Sequence, residues 1–86
     1  MSTREQLADL DEGLLLADGY DDCILGVVYD FGRLPRVAYD RGKMIEKLTA
    51  DMSWEEAEEY FEFNIAGAYV GEQTPVFVDT DPTGGL

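Results

Sequence analysis

The sequence predicts an α+β fold: a short antiparallel three-stranded sheet packed by two to three helices, the last a long acidic C-terminal helix. Three observations carry this. Short apolar, β-branched runs stand at residues 23–29, 36–39 and 76–78, the composition of strands on a half-buried sheet. Apolar residues recur at helical spacing before and between them. Ser53 and Glu56 then have capping-box spacing at the head of a run whose apolar residues fall on one arc. At 86 residues the chain predicts a single domain, 1–86, with a modest core and no need of staples.

In chain order, residues 3–17 can open as a helix. Thr3 and Gln6 have capping-box spacing, and Leu7, Leu10 and Leu14 follow a helical period. Gly13 weakens the middle, and Asp18-Gly19 is a turn signal. Residues 23–29 read as a central strand. Gly32 and Pro35 mark a turn, so residues 36–39 return as the second arm of an antiparallel hairpin. Asp40 is placed to cap a helix over residues 41–50, with Met44, Ile45 and Leu48 on one side and Lys43 and Lys47 on another. The last helix is expected from Trp54 to about residue 69, with Gly71 as its stop. Trp54, Ala57, Phe61, Ile65 and Ala68 form its core arc. Val76 to Val78 then make the third strand, and the tail, residues 79–86, is expected to be flexible.

Charge is the main functional clue. The formal net charge is -13. After Thr49 there is no positive charge, while Asp51, Glu55, Glu56, Glu58, Glu59, Glu62, Glu72, Asp79 and Asp81 are all acidic. Such a field opposes folding by self-repulsion, repels nucleic acid and anionic membranes, and attracts basic protein surfaces. The expected partner is therefore a basic protein or nucleoprotein complex, with no direct nucleic-acid contact and no membrane.

Chemistry is poorly represented. There is no histidine, which removes the usual general base and zinc ligand. The single cysteine, Cys23, forms no internal disulfide and fits a reducing compartment. No phosphate loop, nucleophile elbow or Cys-His pair is present. Residues 79–84 begin like a calcium loop but lack the glutamate at its twelfth position, and Asp18, Asp21 and Asp22 read as a solvated turn. The expectation is no enzyme, no cofactor and no metal. No apolar run reaches the roughly 18 residues of a membrane span, and the N-terminus lacks signal-peptide regions, so a cytoplasmic setting is expected.

The candidate partner-binding residues are Glu55, Glu56, Glu59, Glu62 and Phe63. The glutamates spread around the side of the last helix opposite its core arc, and Phe63 projects among them, near Glu56 and Glu59. Two arrangements are open for Phe63. It packs beneath another element, such as the N-terminal segment, or it stands exposed as an apolar anchor in an acidic rim. From Glu55 to Glu62 the helix rises about 10 Å, a length over which duplex DNA carries roughly six phosphates and one strand about three. Five carboxylates in that stretch lie between the two, so the helix could occupy a groove built for a phosphate backbone. The plainer alternative is a solubilising glutamate run. Arg33, Arg36, Arg41, Lys43 and Lys47 hold five of the six positive charges. They are expected to pair with this chain's own acids. Pairing with another copy's acidic helix would instead make a homodimer, so the chain is a monomer or a homodimer.

Residues 52–78, with Glu-Tyr-Phe-Glu-Phe-Asn at 59–64, Gly-Ala-Tyr-Val-Gly at 67–71 and Thr-Pro-Val-Phe at 74–77, resemble a family of small, acidic, uncharacterised proteins of bacteriophages and prophages. Residues 18–26 and 37–40 match the same pattern, so the resemblance covers roughly residues 14–78. It brings no activity or catalytic residues to carry over. It implies a phage context and the cytoplasm of a bacterial host. By context and charge it suggests an anti-defence inhibitor, most concretely an anti-CRISPR protein acting as a nucleic-acid mimic on a CRISPR effector. The alternative is a small structural or regulatory phage protein acting as a homo-oligomer or adaptor. Within the motif, Asn64 and Gly67 read as structural, one bonding to nearby backbone and the other allowing close packing.

Overall fold

Strand β2 (Arg36–Asp40) is the axis of the molecule, with Val37 and Tyr39 fully buried on one face. The structure is a computed structural model that describes residues 3–17, 19–68 and 71–80, with Thr3 and Arg4 as backbone only. Strand β1 (Ile24–Val28) pairs antiparallel with β2, which bears out the hairpin. Strand β3 (Val76–Val78) pairs with the other edge of β2 and runs parallel to it. The fold is therefore α+β with a mixed three-stranded sheet in the order β1-β2-β3.

Two sequence expectations about the sheet are corrected. It is not wholly antiparallel, because the chain leaves β2, passes through two helices and re-enters opposite Ala38, running in the same direction as β2. The run at residues 23–29 is not the central strand. Cys23 closes a 3-10 turn (Asp21–Cys23), and β1 lies at the edge. A bulge between Ile24 and Gly26 lets both Ile24 and Val27 face the core, although strict alternation would put them on opposite faces.

The first helix, α1 (Thr3–Leu10), stops well short of residue 17. Asp11 ends it. Its side chain accepts a hydrogen bond from the Gly13 N–H at 2.8 Å, and its carbonyl accepts one from the Leu14 N–H at 3.2 Å. That local turn competes successfully with another helical turn. Leu14, Leu16 and Ala17 then lie against the core as irregular chain. The Ala17 N–H donates to the Tyr39 hydroxyl at 2.7 Å, pinning this segment over the sheet.

Helix α2 (Arg41–Leu48) starts where expected, with the Asp40 carboxylate accepting from the Lys43 N–H at 3.1 Å. Met44 and Ile45 are fully buried. Helix α3 (Trp54–Tyr60) begins at Ser53, whose hydroxyl oxygen accepts from the Glu56 N–H at 3.2 Å. It continues into a π-helical segment, Phe61–Ala66, and ends at Gly67. The helical stretch is thus shorter than expected, and its stop is Gly67 rather than Gly71. A Cβ on Gly67 would lie 2.9 Å from the Glu62 carbonyl oxygen, so the wider turn closes only over a residue without one.

One core cluster joins Leu7, Cys23, Val37, Tyr39, Met44, Ile45, Ala57 and Phe61, with Phe77 packed against it. Phe61 meets Phe77 edge-on at 5.0 Å between ring centroids. Of the core arc expected for the last helix, Ala57 and Phe61 are buried and Ile65 is partly so, but Ala68 is exposed. Trp54 is 49% exposed. It stands at the first helical position, past the edge of the core, and its indole N–H donates to Glu58 Oε1 at 2.6 Å. Cys23 is 1% exposed, and burial raises its thiol pKa. At the start of the expected tail, Asp79 pairs with Arg41 and the Thr80 hydroxyl donates to Asp40. Residues 81–86, and with them most of the calcium-like stretch, lie outside the described residues.

Candidate functional site

The side of α3 and its π extension that faces away from the sheet carries the candidate residues. Glu56, Glu59, Tyr60, Phe63 and Asn64, with Met52 from the preceding turn, line a shallow groove of about 380 Å³. Phe63 is 76% exposed. The arrangement in which it packs beneath another element is thereby excluded among the described residues. Residues three and four apart are neighbours on a helix, so Glu56, Glu59, Tyr60 and Phe63 form one contiguous patch. The π segment starts inside this patch. Where the ladder widens, the Asn64 side-chain amide donates to the Tyr60 carbonyl at 3.2 Å, the backbone role expected of it.

The five glutamates of the helix are not equivalent. Glu62 is committed to Arg41 at 2.9 Å, and Arg41 also reaches Asp79 at 3.4 Å while its guanidinium stands 5.4 Å from the centre of the buried Phe61 ring. The hydrogen bond that Arg41 donates to Glu62 raises the pKa of Arg41. Glu56 accepts a hydrogen bond from its own cap, Ser53, at 3.0 Å, and Glu58 accepts from Trp54. Glu55 and Glu59 are exposed and carry no such intramolecular bond among the described contacts. The structure thus brings Glu56, Glu59 and Phe63 together, sets Glu55 one turn before Glu59, and turns Glu62 toward Arg41. Tyr60 was missed by the sequence reading, although its spacing from Glu56 and Phe63 puts it between them.

The cations largely pair with this chain's own acids, as expected. Lys47 meets Asp22 at 2.8 Å, Arg36 meets Asp30 at 3.4 Å, and Lys43 donates to the Asp22 carbonyl at 3.1 Å. The hydrogen bond that Lys47 donates to Asp22 lowers the Asp22 pKa and raises that of Lys47. A larger cavity, about 700 Å³, lies at the hairpin end between Arg33, Arg36 and Glu72. Among the described residues no group of His, Cys, Asp or Glu is arranged to hold a metal ion, and no helix is long and apolar enough to cross a membrane.

Compared with protein-family models, curated proteins and solved structures, the chain gives no match.

Proposed function

We propose that this chain is a small acidic inhibitor of phage type that binds a basic, nucleic-acid-binding surface of a host protein. In its most concrete form it is an anti-CRISPR protein, and its acidic helix stands in for a phosphate backbone. The reading makes it a binding protein and not a catalyst. The observation that supports it best is Phe63, exposed in a groove whose rim is Glu56 and Glu59. Truncating an exposed phenylalanine would cost this fold little, so its packing does not explain it. A basic partner would gain on both counts. Its charges meet carboxylates, and an apolar or arginine side chain covers the Phe63 and Tyr60 rings. Glu55 and Glu59, free of internal bonds, supply the charge without first breaking a contact.

The test is direct. Purified CRISPR effector ribonucleoprotein is mixed with increasing amounts of the protein, and binding of target DNA is followed. Target binding should fall, and the loss should be relieved by Glu55→Gln with Glu59→Gln, and by Phe63→Ala. Inhibition that survives both changes removes the helix from the interface. Absence of inhibition, with dimers or larger species in sedimentation, would favour the homo-oligomeric reading.

A further inference from the structure

The cavity at the hairpin end has its own chemistry, apart from the acidic helix. About 700 Å³ in volume, it is lined by Gly32, Arg33, Leu34 and Arg36 from the hairpin and by Gly71, Glu72 and Thr74 from the chain before β3. Small-molecule sites usually measure roughly 300–1,000 Å³. Both walls are closed turns. The Arg33 N–H donates to the Asp30 carbonyl at 3.1 Å, and the Thr74 N–H donates to the Gly71 carbonyl at 3.1 Å. Gln73 ties one wall to the other, its side-chain amide donating to the Pro35 carbonyl at 3.1 Å and to Asp11 at 3.4 Å. The walls are thus fixed to each other without a ligand, which lowers the cost of binding one. Among the described residues, the donors they carry are largely unspent. Arg33 is exposed and has no ion pair or side-chain hydrogen bond there. Arg36 gives one Nη2–H to Asp30 at 3.4 Å, long for a charge-assisted bond. Its Nε–H is buried without an acceptor, and among the described residues no other buried side-chain polar atom is so placed. A buried donor of this kind calls for a missing partner, an ion included.

We infer that this cavity binds a small molecule through an oxyanion group, a phosphate or a carboxylate, held by Arg33 and Arg36. The planar guanidinium fork matches either group. An ionised Glu72 only accepts hydrogen bonds, so the molecule bears a hydroxyl or amino donor beside its oxyanion. Leu34, 46% exposed, covers its carbon frame. The net charge of -13 opposes an anion at a distance. Salt screens distant carboxylates over about 8 Å at 0.15 M, whereas the two arginines act at contact. The inference does not rest on the inhibitor reading.

The probes are glycerol 3-phosphate and lactate, each pairing an oxyanion with a hydroxyl. Each is titrated at moderate salt into the full, nitrogen-15-labelled chain and followed by amide NMR shifts. Saturable shifts are expected at residues 32–36 and 71–74. Saturation by one probe alone names the group as phosphate or carboxylate, and saturation by both means that the site takes either. Arg33→Gln breaks no internal ion pair and should weaken binding about tenfold or more, the loss of a hydrogen bond to a charged group. Arg36→Lys keeps the charge but loses the fork, and it should also weaken binding. Propyl phosphate and propionate, which lack the hydroxyls, should bind less well than their counterparts. Shifts that do not saturate with either probe would overturn the inference. So would an Arg33→Gln protein that binds as well as the parent, or equal binding of the compounds without hydroxyls. None of these outcomes bears on the inhibition assay, so the two proposals stand or fall separately.

Discussion

Phe61 and Phe63 lie two residues apart on one helix, yet the first is 1% exposed and the second 76%. Phe61 is enclosed by Phe77, Arg41 and the core of the sheet. Among the described residues, Phe63 lines the groove with Met52, Glu56, Glu59, Tyr60 and Asn64. The same side chain is structural on one wall of the helix and surplus to the fold on the other. What separates them is which wall faces β2. The inner wall answers to packing, and the outer wall does not.

The contrast breaks most visibly at its buried member. Phe61→Ala should cost about 3–5 kcal/mol, the range for truncating a core phenylalanine, and denaturant melts should find much of the population unfolded. Phe63→Ala should stay within about 0.5 kcal/mol of the parent. A large loss at Phe63 would make both walls structural.

Next in size is the joint that carries Phe63 outward. Gly67→Ala drives a Cβ to 2.9 Å from the Glu62 carbonyl. The backbone must shift, at a cost of about 1–3 kcal/mol for an overpacked site. Amide exchange should show the loss concentrated in residues 61–66. The helix start is worth less. Ser53→Ala removes the acceptor for the Glu56 N–H and should cost about 1 kcal/mol, measured by thermal melts.

The outer wall should respond in the opposite direction. Glu55→Gln with Glu59→Gln removes two like charges and no internal bond, so the melting temperature should hold or rise slightly. The parent's melting temperature should rise as salt screens its net charge over a Debye length of about 10 Å at 0.1 M, and the double variant's should rise less. A parent that melts lower in salt would mean that ion pairs such as Arg41–Glu62 outweigh the repulsion.

The smallest effect concerns Asp22 and Lys47. The hydrogen bond from Lys47 lowers the Asp22 pKa. Its contribution to stability is present above the ordinary carboxylate range and fades as pH falls through the lowered value. Lys47 is raised, so its contribution holds below its usual value and fades as pH rises through the raised one. An NMR titration should place Asp22 below an ordinary aspartate, and Lys47→Met should return it upward. An unchanged Asp22 in that variant would remove the bond.

What was legible in the sequence was local. Asp40 and Ser53 announce their helices because a cap needs only a short side chain and the next turn. Ala57 and Phe61 were placed inside by spacing, and the hairpin by its turn residues. Strand order was not legible, since a continuous apolar run fits an edge strand whose bulge hides both Ile24 and Val27. The direction of β3 depends on how the intervening chain returns, which no window of residues records. Trp54 misled because its place on the helical arc was read as burial, whereas the first helical position sits past the edge of the core. Spacing put Phe63 among acids but could not say whether another element would cover it.

The parallel pairing of β3 also orders events in time. β1 meets β2 across a short turn, so the hairpin can form early and nearby. β3 must wait until α2 and the acidic helix have brought the chain back, because its register runs only against β2, from Ala38 to Asp40. Non-local pairing of this kind slows folding. On the ribosome the acidic helix therefore emerges before the strand whose Phe77 packs on its Phe61 has been made.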